Sequence, residues 1–126
     1  MKNTIISVTL TALSLFLTIV SCSNAEDKNA VYKTVDKEIC LKELKSGDFQ
    51  IIDVRTPEEY FEGHIEGAKN INYYEDDFSE KINQLDKTRK TMIYCGIGGR
   101  SAEALKLMKQ LNFNYVLELK NGYQSW

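Results

Sequence analysis

The sequence lacks any cluster of basic residues, and its 16 lysines and arginines are outnumbered by 18 aspartates and glutamates. Because nucleic-acid binding depends on cations that neutralise phosphates, this balance argues against a nucleic-acid partner. The chain has one histidine and three cysteines, and their spacing matches no metal-ligand pattern, so we expect no metal site. One proline and no internal repeat or low-complexity segment are typical of an ordinary globular domain.

The first residues have the composition of a secretory signal peptide. Residues 1–24, MKNTIISVTLTALSLFLTIVSCSN, contain Lys2 near the start, then an uncharged and largely apolar stretch, and finally small residues around Cys22. The apolar stretch is shorter than the roughly 20 residues that cross a bilayer, and serine and threonine interrupt it. A signal peptide is therefore favoured over a membrane-spanning helix.

The end of this segment, IVSC, resembles the lipobox of bacterial lipoproteins, in which a branched apolar residue and small residues precede a cysteine. The resemblance implies cleavage of a signal peptide at residues 1–21 and lipidation of Cys22, whose acyl chains would anchor the protein in a membrane. An ordinary signal peptide with an incidental cysteine is the alternative. Residues 22–30 are largely polar and predict a tether between the lipid and a domain at 31–126.

The residue after Cys22 indicates in which membrane the lipoprotein would be anchored. It is Ser23 rather than aspartate, and in lipoproteins of many Gram-negative bacteria this favours the outer membrane. We therefore expect a domain that lies outside the cytoplasm and is tethered to the cell envelope.

Residues 31–126 alternate short apolar runs with stretches in which apolar residues recur at helical spacing. Thr56, Pro57 and Glu59 together indicate a helix start with a capping box. Strands that alternate with helices predict parallel pairing and a three-layer α/β domain. The predicted strands lie at 31–33, 49–55, near 70–72, at 91–94 and at 115–119, and the predicted helices start near Asp36, at Pro57, around Phe78 and at Ser101.

Cys95 has an unusual position, directly after a predicted strand and before a glycine-rich stretch that opens onto a helix. In a parallel α/β fold, ligands bind at the carboxyl ends of the strands. A curled glycine-rich loop directs its N–H groups inward, and the following helix adds its positive end. Such surroundings lower a cysteine pKa from about 8.5 to roughly 3.5–7.5, which predicts a thiolate nucleophile without a histidine base. A buried and inert thiol is the alternative.

Three motifs carry a resemblance to a known family. CGIGGRS, starting at Cys95, resembles the active-site loop of the rhodanese superfamily, commonly C-x-x-G-x-R-S in single-domain members. DVR at Asp53 with PEEY at Pro57, and GHIEGA at Gly63, match that family's other signatures in order and spacing, and NGY with Trp126 resembles its C-terminal segment, where a double glycine is more usual. The resemblance implies an α/β three-layer, rhodanese-like fold with a central, mainly parallel sheet of about five strands.

The resemblance implies a sulfurtransferase that carries sulfane sulfur as a persulfide on Cys95 and needs no metal or cofactor. Its partners would be a donor, thiosulfate or a persulfide, and an acceptor, a thiol, a protein or cyanide. A non-enzymatic persulfide carrier or a partner-binding module is the alternative. Arg100 would support the loop, whose amides would hold the outer sulfur; the loop comprises Gly96, Ile97, Gly98, Gly99, Arg100 and Ser101.

The same resemblance argues against phosphatase activity and against thiosulfate as the sulfur donor. Related phosphatases have C-x5-R, one residue longer than the spacing from Cys95 to Arg100, so phosphatase activity is not expected. Family members that handle thiosulfate well often carry basic side chains inside the loop, whereas this loop has only Arg100, which disfavours thiosulfate as the donor.

For four other residues, the sequence either predicts a structural role or leaves the role open. Asp53 and Arg55 either help to hold the loop or serve only the strand end, and His64 is expected to be structural. Cys40, inside the first predicted helix, is expected to be a core thiol. A disulfide between Cys40 and Cys95, with thiol–disulfide chemistry as a weaker third function, stays open because geometry decides it.

Overall fold

The computed structural model describes residues 29–126, so the predicted signal peptide and lipidated Cys22 lie outside the described residues. Within residues 29–126, no helix has the length and apolar character that crossing a membrane requires. The strands are β1 (Val31–Val35), β2 (Phe49–Asp53), β3 (Ala68–Asn70), β4 (Lys90–Tyr94) and β5 (Tyr115–Leu119). The helices are α1 (Lys37–Ser46), α2 (Pro57–Glu62), α3 (Phe78–Asn83) and α4 (Gly99–Gln110), and a 3-10 helix follows at Gly122–Ser125.

The five strands form one sheet in the order β1-β5-β4-β2-β3, and every neighbouring pair is parallel. This confirms the predicted α/β fold with a five-stranded parallel sheet. The central strand, β4, pairs with β2 on one side and β5 on the other, with Tyr94 beside Asp53 and Ile93 beside Glu118. The carboxyl ends of these three strands therefore meet at one edge of the sheet, where Cys95 lies.

Each face of the sheet has its own buried cluster, because successive side chains of a strand point to opposite faces. Ile93 and Cys95 belong to the cluster that also contains Met108 of α4. Tyr94 belongs to the other cluster, together with Cys40 of α1. The two cysteines are free thiols on opposite faces, so the disulfide that the sequence leaves open is not formed in this fold.

Several predicted boundaries differ from the structure. Strand β1 extends to Val35 rather than 33, β2 ends at Asp53 rather than 55, and β4 begins at Lys90 rather than 91.

Two other differences concern β3 and α4. The third strand ends at Asn70, whereas the sequence predicts it near 70–72. Backbone hydrogen bonds from Ile71 to Asp53 and from Tyr73 to Val54 continue beyond it, so this segment follows β2 as irregular backbone. Helix α4 begins at Gly99 rather than at Ser101, because the glycine-rich stretch itself makes the first turn.

The predicted capping box at the start of α2 is confirmed. The Thr56 hydroxyl accepts a hydrogen bond from the Glu59 N–H at 3.3 Å, and the Glu59 carboxylate accepts one from the Thr56 N–H at 3.0 Å. Pro57 occupies the first turn, where its missing N–H is not needed. Because α2 has only six residues, the hydrogen bonds of the capping box are an important part of what fixes where the helix begins.

Thr56→Ala should lower the free energy of unfolding by about 1 kcal/mol, because an alanine at the cap leaves the Glu59 N–H without its acceptor. Urea unfolding followed by circular dichroism measures the change. Thr34→Ala, on an exposed position of β1, is the matched control and should change stability by about 0.5 kcal/mol or less. Equal losses in the two variants would show that the capping box contributes nothing.

Candidate active site

Cys95 is the first residue after β4, and its side chain is only 1% exposed. The Gly98 N–H donates a hydrogen bond to Cys95 Sγ at 3.0 Å, and the Ser101 hydroxyl lies 3.3 Å from the same sulfur. Gly98 has φ +103°, a left-handed conformation that glycine adopts without strain and that turns its N–H back towards the thiol. The loop therefore curls around Sγ as the sequence predicts.

The surroundings of Cys95 have opposite effects on its pKa. Burial raises the pKa, because a thiolate is poorly stabilised away from water. The Ser101 hydroxyl and the amides of Ser101, Gly98 and Ile97 lower it more, and the pKa of Cys95 lies below its ordinary value. The arrangement therefore favours the thiolate form of Cys95.

Arg100 connects the loop to α2. Its Nη1 and Nη2 donate hydrogen bonds to the two carboxylate oxygens of Glu59 at 2.7 and 2.8 Å. Arg100 is the main reason that the pKa of Glu59 is lowered to about 2. The guanidinium also lies over the Tyr74 ring, 5.5 Å from its centre. The Arg100 side chain thus links the loop to α2, and its charge is balanced by Glu59. Its role in supporting the loop stays a prediction.

The C-terminal 3-10 helix holds the loop from the other side. The Tyr123 N–H donates to the Cys95 carbonyl at 2.7 Å, and the Gln124 N–H donates to the Gly96 carbonyl at 3.0 Å. A Cβ at Gly122 would lie 2.3 Å from the Cys95 carbonyl oxygen. Asn121 has φ +61°, and asparagine is among the few residues other than glycine that tolerate this left-handed conformation, which explains its place in a motif where a double glycine is more usual.

Asp53 and Arg55 form a buried pair at the end of β2. Asp53 Oδ2 and Arg55 Nη2 are 2.7 Å apart, and the same Nη2 donates to the Gly63 carbonyl at 2.6 Å. The Arg55 guanidinium lies 4.2 Å from the centre of the Tyr123 ring. The pair therefore contacts the segment that holds the Cys95 loop and makes no hydrogen bond to the loop itself. Its role in supporting the loop stays a prediction.

His64 and Cys40 lie apart from the Cys95 thiol. The exposed His64 ring stacks on Tyr60, with 3.8 Å between ring centres, and its Nδ1 lies 3.0 Å from the Tyr60 carbonyl oxygen. Cys40 is fully buried, and burial, followed by the charges of Glu118 and Asp36, raises its pKa to about 11. Among residues 29–126, no group of histidine, cysteine, aspartate or glutamate side chains could hold a metal ion.

Glu118 is a residue of the site that the sequence reasoning missed. It lies on β5, is only 2% exposed, and its Oε1 is 2.6 Å from Ser101 Oγ. A signal was present, since a glutamate interrupts the otherwise apolar run YVLEL. A charged residue in a buried strand is rare unless it has a partner.

Gly122→Ala should destabilise the protein and disturb the Cys95 loop, because the left-handed backbone costs about 1–2 kcal/mol and the added Cβ collides with the Cys95 carbonyl. Urea unfolding and the rate of Cys95 alkylation by iodoacetamide measure the two effects. Gly67→Ala is the control, because Gly67 has φ +78° and no atom within 4 Å of its added Cβ. The Gly122 variant should lose at least about 1 kcal/mol more than this control. Equal losses and unchanged alkylation rates would contradict the proposed contact.

The sequence is similar to those of known proteins of one family. Residues 36–126 match the Rhodanese-like domain family. The thiosulfate sulfurtransferase GlpE of Shewanella oneidensis is 30% identical over 93 residues, covering 74% of this chain and 88% of that protein. The probable adenylyltransferase/sulfurtransferase MoeZ of Mycobacterium tuberculosis is 37% identical over 76 residues, or 60% of this chain, which spans only 19% of the MoeZ length.

Solved structures give the same result for the fold. The crystal structure of a rhodanese-related protein from Thermoplasma volcanium has a TM-score of 0.66 and 29% sequence identity, and the match covers 75% of this chain and 90% of that one. The chain therefore belongs to the rhodanese-like domain family, as its motifs predict.

Proposed function

We propose that this chain is a sulfurtransferase that transfers sulfane sulfur through a persulfide on Cys95. The observation that carries the proposal is the position of Cys95 Sγ, held by the Gly98 N–H at 3.0 Å inside a curled loop at the end of the central strand. Relatives of similar length that are named sulfurtransferases support the same reaction class.

In the first step the Cys95 thiolate attacks the outer sulfur of a donor persulfide, R–S–SH. The donor S–S bond breaks, a bond forms between Sγ and the transferred sulfur, and the hydrogen of the donor ends on the leaving thiol, R–SH. The negative charge then lies on the outer sulfur of the Cys95 persulfide. The loop N–H groups stabilise this anion as they do the thiolate, because hydrogen bonds to an anion are about twice as strong as those between neutral groups.

In the second step an acceptor removes the sulfur. A thiol or cyanide attacks the outer sulfur, and the bond between that sulfur and Sγ breaks. The sulfur leaves as a persulfide of the acceptor, which keeps the thiol hydrogen, or as thiocyanate, and the thiolate of Cys95 is restored. Covalent catalysis of this kind divides one transfer into two displacements at the same nucleophile and requires no metal.

The surroundings of the loop favour a persulfide over thiosulfate as the donor. Thiosulfate is a dianion, and the cation of the loop, Arg100, is bonded to both oxygens of Glu59. The loop also carries an exposed apolar side chain, Ile97, which is 72% exposed. An apolar loop surface suits the thiol of a protein or of a small organic molecule better than a small inorganic anion.

Incubation with a donor should add the mass of one sulfur atom to the chain, because Cys95 retains the sulfur as a persulfide. Intact mass spectrometry measures the gain after separate incubations with thiosulfate and with glutathione persulfide, and we expect faster loading from the persulfide. Cyanide should remove the added sulfur. Cys40→Ala should still load, because Cys40 lies on the opposite face of the sheet.

Cys95→Ser should abolish the gain. No sulfur on the wild-type protein from either donor, with the thiol shown to be reduced, would contradict sulfur transfer and favour a partner-binding module. Loading without repeated turnover to cyanide would favour the persulfide carrier.

We further propose that the domain is tethered to the envelope membrane, with the outer membrane of a Gram-negative bacterium as its location. The support is the lipobox-like IVSC sequence and the polar residues that follow it. Anchoring by the acyl chains would hold the domain outside the cytoplasm.

Cys22→Ala should prevent lipidation, because the cysteine thiol and amine are the sites of acylation. Expression of the full chain in a Gram-negative host, followed by membrane fractionation and mass spectrometry, measures the processing. The wild-type chain should begin at Cys22 and carry acyl mass. An unchanged mass and unchanged membrane association in the variant would refute the lipoprotein assignment.

A further inference from the structure

Ser101 lies between two acidic side chains in the protein interior. Its Oγ is 3.3 Å from Cys95 Sγ and 2.6 Å from Glu118 Oε1. Cys95, Ser101 and Glu118 are 1%, 0% and 2% exposed, so solvent has almost no direct access to the three. Together they form a hydrogen-bonded row that runs from β5 to the nucleophile.

The number of hydrogen atoms limits how this row can bond. A serine hydroxyl has one hydrogen to donate and two lone pairs that accept. If Ser101 donates that hydrogen to the Cys95 thiolate, it can bond to Glu118 only by accepting, and the Glu118 carboxyl must then carry a proton. If Glu118 is ionised, it takes the Ser101 hydrogen, and the sulfur loses that donor. The states of the thiol and of the carboxyl are therefore linked through one hydroxyl.

We propose that Glu118 takes up the proton of the Cys95 thiol through Ser101 as the thiolate forms. The S–H bond of Cys95 breaks and its proton passes to Ser101 Oγ, while the Ser101 proton passes to Glu118 Oε1 and forms a carboxylic acid. No electron is transferred, and the row keeps a single negative charge throughout. The inference rests on the proposed function, since it concerns how the nucleophile is produced.

The charges around the row favour one shared proton over two separate anions. A thiolate and a carboxylate in the same buried site would repel each other. None of the ion pairs between described residues includes Glu118. Transfer of the proton from Cys95 to Glu118 leaves one negative charge in the buried site instead of two.

Two other titratable side chains lie near the row, Cys40 across the sheet and Arg100 beside the loop, and neither takes the proton. Cys40 of α1 has its pKa raised to about 11, chiefly by burial, so it stays a neutral thiol. From α4, Arg100 is close enough that the charge of Cys95 helps to raise its pKa, after Glu59 and against burial. Arg100 is bonded to Glu59 and accepts no proton. Glu118 acts on the sulfur through Ser101 and is therefore a positioning residue.

Proton sharing with Glu118 predicts a specific pH dependence for the thiolate fraction of Cys95. While the row holds one shared proton, the fraction of thiolate does not change with pH, because the two forms differ only in where that proton lies. The thiolate fraction should therefore rise in two steps separated by a plateau. A role of Glu118 in packing alone would shift a single step and would not add a second one.

The rate of Cys95 alkylation by iodoacetamide tests this prediction and needs no sulfur donor. The rate is measured across acidic to alkaline pH on the full chain, by mass of the peptide that contains Cys95, so that the other cysteines do not contribute. Wild type should show two steps. Glu118→Gln should show one, with the full rate reached about one pH unit or more earlier, which is a tenfold change in proton concentration. Glu103→Gln, an exposed glutamate on α4, is the matched control and should keep both steps.

A single step in wild type, or two steps in Glu118→Gln, would overturn the proposal. If that variant does not fold, infrared spectroscopy of the wild-type protein decides. The carbonyl stretch of a protonated carboxyl should be present at the plateau pH and absent from Cys95→Ser, and its absence from wild type overturns the proposal. Both readouts are independent of sulfur loading, so failure of the proposed function and failure of this inference give different results.

Discussion

The site depends on stabilising a negative charge on a sulfur atom that solvent does not reach. Cys95 is 1% exposed, and burial alone raises the pKa of its thiol. Hydrogen-bond donors of the loop reverse that effect only while the loop stays curled around Sγ. The surrounding contacts meet this requirement, because Glu59 holds the loop from α2, Tyr123 holds it from the C-terminal side, and Ser101 links it to Glu118.

The fold and the centre of the site could be predicted from the sequence because both are encoded by local patterns. Alternating apolar runs and helical spacings specify strands and helices, and a cysteine between a strand and a glycine-rich helix start specifies a position at the sheet edge. The capping box of α2 is equally local, since Thr56 and Glu59 are three residues apart. Family motifs added the reaction class.

The features that could not be predicted from the sequence depend on contacts between residues that are distant in the chain. Glu118 and Ser101 are 17 positions apart and meet because β5 pairs with β4, a neighbour relation that no local pattern encodes. The separation of Cys40 from Cys95 likewise follows from which face α1 covers. The end of β3 was misplaced because Ile71 is buried for core packing while it lies just outside the strand.

The order of the strands has a consequence for how the chain acquires its reactive thiol. Strand β1 pairs only with β5, and β5 lies between β1 and β4, so the earliest and latest strands of the described chain must meet before the sheet is complete. The residues that bond to the Cys95 and Gly96 carbonyls follow β5. Folding by such long-range pairing is slow, and small single domains usually fold in one all-or-none transition. The nucleophile is therefore activated only when the whole domain has assembled, and a partly folded chain carries an ordinary cysteine in its place.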